Sequence, residues 1–410
     1  MRSAVVVGAG IGGLAVAGAL ARTGWQVTLL ERDDRIRPAR AALLLWPNGV
    51  RALRALGLDE GLDAITTPVR SGGLRRPDGQ WLGRTRPDAA GTTPYVVHRE
   101  DLHDAFVAGL GDGVDIRTGV TVRTVRADGP RPAVGDGDGT WEADLVVAAD
   151  GARSAVRQRL VPESRPVSGG YAAWRAVIPW YRAPELPAGT PAAGETLTVG
   201  HRFVHASLGE RGSAGASSRG GIYWMATVPG AARPEPPDVQ LSLLRRWFAR
   251  WHEPIARLLD ATEPDDLVQE AVFELRPLPE SFVVTAGGGG YALLGDAAHA
   301  FADHLGQGAC LALEDAVTLQ AYLRDAAPGP ELARALRAYA DDRRPRAVRL
   351  ARQARRLATV LQGRGSGIGA RARGVALGTV APRLFEAAAT GADDWTPPAT
   401  EQSPAQSGSS

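Results

Sequence analysis

Ala4-Val-Val-Val-Gly-Ala-Gly-Ile-Gly-Gly-Leu14, continued by Leu29-Leu-Glu-Arg32, is the stretch whose reading decides the fold. An apolar, β-branched run ends at Gly8. A helical segment spans Gly12 to Thr23, and after Gly24 a second apolar run, Val27 to Leu30, closes on an acid. Strand, glycine turn, helix, strand and acid make one βαβ unit. Gly8, Gly10 and Gly13 stand at G-x-G-x-x-G spacing, with Gly12 between them. In such a unit the first glycine permits the tight turn, the second lets a pyrophosphate approach the backbone, and the third lets helix pack on strand. The helix N-terminus presents unpaired N–H groups to the phosphates, and Glu31 is placed for ribose hydroxyls. These residues predict a dinucleotide site.

The same stretch admits another reading. Ala4 to Ala21 carries no charge and follows Arg2, as in a membrane span or a signal peptide. A span requires roughly 20 predominantly apolar residues, whereas this run holds five glycines, clustered where a turn belongs. The expectation is therefore a cytoplasmic protein with no membrane span.

Working outward, 410 residues exceed one core and predict unequal domains. Formal net charge is +2 with acids and bases interspersed, which argues against a nucleic-acid partner. The single cysteine, Cys310, excludes an intramolecular disulfide and a cysteine metal cluster. All 47 basic residues are arginine, so Schiff-base and P-loop lysine chemistry are excluded.

Val114 to Val125 reads as one strand, and Leu145-Val-Val-Ala148 runs into Ala149-Asp150-Gly151, a loop at the carboxyl edge of a parallel sheet, where such sheets bind ligands. From Gly170 to Pro229 the composition shifts to short aromatic strands, Tyr171 to Val177, Thr196 to Val204 and Ile222 to Val228. This predicts an inserted antiparallel sheet, covered by one amphipathic helix, Leu241 to Leu259. Tyr291 to Leu294 ends in Gly295-Asp296, and Gly306-Gln307-Gly308-Ala309 opens a helix to Arg324. Another helix, Glu331 to Leu361, carries Pro345 as an expected kink. The predicted organisation is a discontinuous nucleotide-binding domain (1–70, 96–168, 280–330), a substrate domain (71–95, 169–279), C-terminal helices (331–395) and a disordered tail (396–410).

Three separated segments, the glycine fingerprint, Asp150-Gly151 with Ser154 and Arg157, and Gly295-Asp-Ala-Ala-His299 through Gly306-Gln-Gly308 to Glu314-Asp-Ala316, together resemble the single-component FAD-dependent monooxygenases, the para-hydroxybenzoate-hydroxylase-like flavoproteins. The resemblance implies an α/β fold, a Rossmann-type FAD domain with an inserted antiparallel-sheet substrate domain and C-terminal helices. It also implies non-covalent FAD, transient NADH or NADPH, and transfer of one oxygen atom from O₂ to an aromatic or polyketide-like molecule through a flavin C4a-hydroperoxide. Asp296 would accept ribityl hydroxyls, Gly306 to Ala309 would present helix N–H groups to the ring, and Arg99 would meet the cofactor. Arg32 and Arg40 flank the expected adenosine end, Val122 would lie beside the adenine, and Asp150 would serve the pyrophosphate and nicotinamide. A monomer or homodimer is expected, with no metal.

Departures from the family pattern border the expected ring. Ala300 and Asp303 stand where prolines are usual, His304 follows, and Arg40-Ala41-Ala42 replaces glycines. Asp303 and His304 are accordingly candidate proton carriers, the alternative being a turn cap and a solvated imidazole. On the substrate sheet, period-two alternation sends Tyr171, Ala173 and Arg175 to one face and Trp174 to the other. Arg175, Tyr223 and His205 are the candidate catalytic residues there, and His201 shares a face with His205. A flavin halogenase is disfavoured because Trp174-Arg-Ala-Val-Ile-Pro179 lacks the second tryptophan of W-x-W-x-I-P and no lysine exists. A flavin-linked reductase and a flavoprotein that sequesters its ligand remain alternatives.

Overall fold

The computed structural model describes residues 1–37, 41–84, 93–209, 219–362 and 394–399. The opening unit is β1 (Arg2–Val7), α1 (Ile11–Arg22) and β2 (Trp25–Leu30). There follow β3 (Ala42–Leu45), α2 (Pro47–Ala55), α3 (Asp59–Ile65), β4 (Thr66–Pro68) and the pair β5 (Gly73–Arg75) and β6 (Trp81–Arg84). Next come β7 (Tyr95–His98), α4 (Arg99–Ala108), β8 (Val114–Arg117), β9 (Thr124–Arg126), β10 (Ala133–Gly135), β11 (Thr140–Glu142), β12 (Leu145–Ala148) and α5 (Ala155–Leu160). The aromatic region forms β13 (Arg165–Ile178), β14 (Ala193–Leu197), β15 (Arg202–Ser207) and β16 (Ile222–Pro229). It is followed by α6 (Pro237–Phe248), α7 (Ile255–Ala261) and β17 (Val268–Arg276). The described chain then continues through β18 (Val283–Ala286), β19 (Gly289–Leu293), α8 (Asp296–His299), α9 (Gly308–Leu323) and α10 (Pro330–Gln362).

A six-stranded sheet, ordered β18-β19-β12-β1-β2-β8, carries the nucleotide-binding unit. All its pairings are parallel except β18 on β19. Its central strands are apolar along their length because α1 and α9 bury one face. That burial includes Leu14, Val16, Leu20, Leu313 and Leu319. A seven-stranded sheet, ordered β17-β13-β16-β15-β14-β5-β6, is antiparallel apart from β14 on β5. One of its faces packs Trp174, Phe203 and Trp224 under α6 and α7. Tyr223, Met225 and Ala206 on the other face meet Ala41, Ala42 and Val96 of the three-stranded β3-β7-β4 sheet. The alternation expected along β13 follows this division, with Trp174 under the helices.

Four elements differ from expectation. The continuous strand expected over Val114 to Val125 breaks at Gly119, whose φ of +74° turns the chain so that Val120 N–H donates to the Glu31 carbonyl. Thr196 to Val204 is a hairpin, closed by Thr198 N–H on the His201 carbonyl and by Gly200 at φ +89°. The helix expected from Leu241 to Leu259 is two helices, α6 ending at Phe248 and α7 starting at Ile255 directly after Pro254, whose missing N–H costs nothing at a helix start. β17 carried no expectation; it is the sheet's edge strand, pairing only with β13.

The helix around Pro345 is one element from Pro330 to Gln362. Apart from residues 394–399, the part of the expected C-terminal helices (331–395) beyond Gln362 and the expected tail (396–410) lie outside the described residues.

Candidate active site

The glycine turn is built from contacts that a side chain would destroy. Gly8 sits at φ +101°, and a Cβ there would meet the Ala149 carbonyl oxygen at 2.6 Å. At Gly13 a Cβ would run into the Gly8 carbonyl, and at Gly12 it would press on Leu294 at 2.7 Å. Gly10 is different: a Cβ there meets nothing within 4 Å. Open space therefore lies over the first turn of α1, where helix N–H groups have no partner of their own. Glu31 holds the turn in place, accepting from Ala9 N–H at 2.8 Å and Asp33 N–H at 3.0 Å. The expected acid is thus also the brace of the loop it faces.

Two further loops approach the same sheet edge. Asp150 Oδ2 accepts from Ala155 N–H at 2.7 Å and Val156 N–H at 3.3 Å, while its Oδ1 is buried without a partner. Burial pushes its carboxyl above the usual range, against hydrogen bonds from Ser154 and the backbone. Arg157, wholly buried, donates to the carbonyls of Ala152 at 2.7 Å and Ala297 at 3.0 Å, tying the Asp-Gly loop to α8. Asp296 opens α8 with an exposed carboxylate, 3.9 Å from where a Cβ on Gly308 would lie. Gly306 takes a left-handed φ of +62°, turning the chain into α9 at Gly308, with Ala309 in its first turn. Gln307 is buried between them and accepts from Asn48 Nδ2 at 3.0 Å.

Arg99 opens α4, its N–H bound to the Ala41 carbonyl at 2.8 Å. Burial and then the like charge of Arg175 pull its guanidinium below the usual value, with Asp296 and Tyr223 opposing. Its charge neighbours thus belong to both walls of a cleft. An ion pair of Arg99 with Asp150, the structural alternative, is absent among the described residues.

The opposing wall is the face of the seven-stranded sheet that carries Tyr171, Arg175 and Tyr223. Arg175 pairs with Glu270 of the neighbouring strand and with Asp303 at 3.3 Å. Asp303 Oδ1 accepts from the Tyr171 hydroxyl at 2.8 Å, and the His304 ring stacks on Tyr171 at 4.9 Å. Burial works to raise the Asp303 carboxyl pKa, but His304, Arg175 and Arg202 outweigh it, leaving it below the usual range. Asp303 is therefore an ion-paired carboxylate. His304 is buried and not solvated; burial pushes its pKa down to about 4, so it is neutral at pH 7. Burial also raises the Tyr223 phenol, which keeps it protonated.

One expected catalytic residue sits elsewhere. His205 lies on the other face of the sheet, among the residues α6 and α7 cover, opposite Trp224 and near His252. It shares that face with His201, whose ring meets Phe248. The parity count that paired the two histidines was silent on which face met the cleft, and His205 is removed from it. Arg32 is exposed beside Asp33, and Val122 is buried in the main core. Arg40 lies outside the described residues.

One pairing went unread in the sequence, although its two acids belong to the third motif. Glu314 and Asp315, both 0% exposed, face Arg343 and Arg346 of α10. Arg343 Nε donates to Asp315 at 2.7 Å and its Nη2 to Glu314 at 2.6 Å, while Arg346 Nε donates to Glu314 at 2.7 Å. Glu314 also accepts from Asn48 at 2.6 Å, and Asp315 from Gly295 N–H at 2.9 Å and His299 at 2.7 Å. The signal was two adjacent acids inside an otherwise apolar helix, since such charges are buried only when paired.

These residues fit FAD: an open pocket over α1, a braced acid at the ribose end, an exposed Asp296, and a second free helix start at α9. The chain matches the family model for an FAD binding domain over residues 1–354. It is 32% identical over 372 residues to an FAD-dependent urate hydroxylase of Klebsiella pneumoniae, covering 88% of this chain and 91% of that relative. It is also 32% identical over 327 residues to the aurachin C monooxygenase/isomerase of Stigmatella aurantiaca, covering 77% and 79%. The chain belongs to the para-hydroxybenzoate-hydroxylase-like FAD-dependent monooxygenases. A solved member, Klebsiella pneumoniae HpxO complexed with FAD and uric acid, superposes on this monooxygenase with a TM-score of 0.78 at 27% identity, across 95% of this chain and 96% of that one. Among the described residues, no helix of the monooxygenase is long and apolar enough to cross a membrane.

The buried histidines of this monooxygenase give it an acid-sensitive stability. His205 and His304 both titrate near 4 in the folded protein against 6.5 when unfolded. Between those values the unfolded chain binds more protons, so stability falls as pH drops through the window. Each histidine contributes about 3 kcal/mol over the full interval. Urea midpoints measured at pH 7.5 and 4.5 should separate accordingly, and His304→Gln should narrow that separation. An unchanged separation in the variant would place His304 in water.

Proposed function

We propose that this monooxygenase uses NADH or NADPH and O₂ to insert one oxygen atom into a planar aromatic or polyketide-like molecule held between the flavin loops and the seven-stranded sheet. The observation that carries this reading is the Asp303 contact. Asp303 joins the loop leading into α9 to both Tyr171 and Arg175, so the flavin-side loop and the substrate wall face each other as one braced cleft.

In this reading the Gly10 backbone and the first turn of α1 take the pyrophosphate, Glu31 the adenosine ribose, and Asp296 the ribityl hydroxyls. The N–H groups of Gly308 and Ala309, at the start of α9, would hold the ring, and Arg99 would bind on the cofactor side. FAD, when bound, supplies the redox and oxygen-transfer chemistry. The protein binds, orients and excludes water. Tyr223, Met225, Val204 and Ala206 form an apolar, water-excluding wall. Arg175 hydrogen-bonds the Tyr223 hydroxyl, and Asp303 acts as a positioning residue, because a carboxylate paired with Arg175 and accepting from Tyr171 is a poor proton donor. Cys310, buried with its thiol pushed up to about 12 by burial, offers no thiolate to attach the flavin.

The test is direct. The purified protein should be yellow, and acid or heat should release all of its flavin as FAD. With NADH or NADPH under ¹⁸O₂ and a panel of polycyclic phenols, product should carry one ¹⁸O atom. Substrate-stimulated cosubstrate oxidation without labelled product would instead support a flavin-linked reductase.

A further inference from the structure

Resting on that reading, we infer that the cleft selects an uncharged aromatic ring, such as a phenol, and turns away aromatic carboxylates. The inference comes from the charges on the substrate wall. Two guanidiniums stand there, Arg175 and Arg202, and each is already engaged by the protein. Arg175 is held by Glu270 on one side and Asp303 on the other. Arg202 is gripped by both oxygens of Glu195, at 2.6 and 3.2 Å, and its remaining Nη1 is sealed in the interior. Three carboxylates against two guanidiniums leave the wall with one excess negative charge. Tyr171 and His304 add none, being a protonated phenol and a neutral imidazole stacked on each other. Arg99, the remaining cation at the cleft, lies within reach of the opposite charge of Asp296, and a bound pyrophosphate would add further negative charge to that side.

A carboxylate entering this cleft must either displace Glu270 or Asp303 from Arg175, or remain unpaired beside them. Both courses cost affinity in a partly desolvated site, because like charges a few ångströms apart repel far more strongly there than in water. A neutral ring meets no such penalty. It needs only the apolar wall and the Tyr223 hydroxyl. Glu270 is the more exposed of the two carboxylates on Arg175, at 43% against 24% for Asp303. Removing its charge brings the wall to neutrality and frees one side of Arg175, without touching the flavin loops.

The matched pair 1-naphthol and 1-hydroxy-2-naphthoate differs by one carboxylate on one ring system. Each is titrated into the FAD-loaded protein, wild type and Glu270→Gln, with binding read from the flavin absorption spectrum. In wild type 1-naphthol should bind at least about tenfold more tightly than the carboxylate. In Glu270→Gln that gap should close through tighter carboxylate binding. Equal or tighter carboxylate binding in wild type overturns the inference, as does a gap that Glu270→Gln leaves intact. If neither probe perturbs the flavin in either protein, the cleft is no aromatic site and the proposed function falls with it.

Discussion

Gly10→Leu is expected to purify folded and colourless. The backbone at Gly10, φ −69° and ψ 177°, is one that leucine adopts without strain, and its Cβ would meet nothing within 4 Å. The fold therefore has no reason to object. The space the leucine fills, however, is the approach to the α1 N–H groups, and a pyrophosphate must touch that backbone to use them. FAD affinity should fall by at least about a hundredfold, a loss of roughly 3 kcal/mol. Circular dichroism and the unfolding midpoint of the cofactor-free protein should match wild type. Gly8→Ala is the contrasting variant. At φ +101° with the Ala149 carbonyl 2.6 Å from the new Cβ, it should lose flavin and stability together. Stoichiometric flavin in Gly10→Leu would mean that the open space over α1 is not the phosphate site.

The parts of the fold legible in the sequence are those whose signal is local. β1, α1 and β2 follow one another with their glycines and acid in register, so contiguous residues specify the unit. The Asp150-Gly151 and Gly295-Asp296 loops were legible for the same reason, each closing an unbroken apolar strand. Period-two alternation correctly separated Trp174 from its neighbours on β13. What stayed hidden depends on partners distant in sequence. Parity put His201 and His205 together but could not say that α6 and α7 cover their face. The hairpin at Thr198 to His201 was concealed because its turn carries only one glycine within an apolar run. β17 was missed because an edge strand half open to solvent has weak apolar periodicity.

The site shows the same division. The cofactor-side residues are positioned by short loops and could be read from motifs. Arg175 could be read only as a candidate catalytic residue, because its face, but not its partners, could be inferred. Glu270 and Asp303 lie 95 and 128 residues away along the chain and reach it only after folding. Their presence converts Arg175 from a free cation into an ion-paired one, which removes the free charge that a substrate carboxylate would need.

The largest loss of stability is expected from Arg343→Met. Arg343 is wholly buried and answers two buried carboxylates at once, Asp315 at 2.7 Å and Glu314 at 2.6 Å. Methionine fills much of the volume but leaves those charges short of a partner in the interior. Breaking a buried pair from one side costs about 3–5 kcal/mol, a large part of the roughly 5–15 kcal/mol that holds a typical domain. Arg346 still reaches Glu314 at 2.7 Å, so Asp315 bears most of the change. In wild type, burial works to raise the Asp315 pKa, but His299 and Arg343 outweigh it and bring it down to about 2. That depressed value stabilises the fold at every pH above the unfolded value of 3.8 and is lost as pH falls from 3.8 toward 2. Without Arg343, burial prevails and the Asp315 pKa rises, so acid protonates it sooner and relieves the unpaired charge. The stability gap between variant and wild type should therefore be widest near pH 7 and narrow toward pH 4. FAD should weaken in parallel, because Asp315 holds Gly295 N–H and Glu314 holds Asn48 beside Gln307. Denaturant titrations across that pH range, with flavin content measured on the same samples, check both expectations. A gap of constant size would mean that lost packing, and not an unpaired carboxylate, sets the cost.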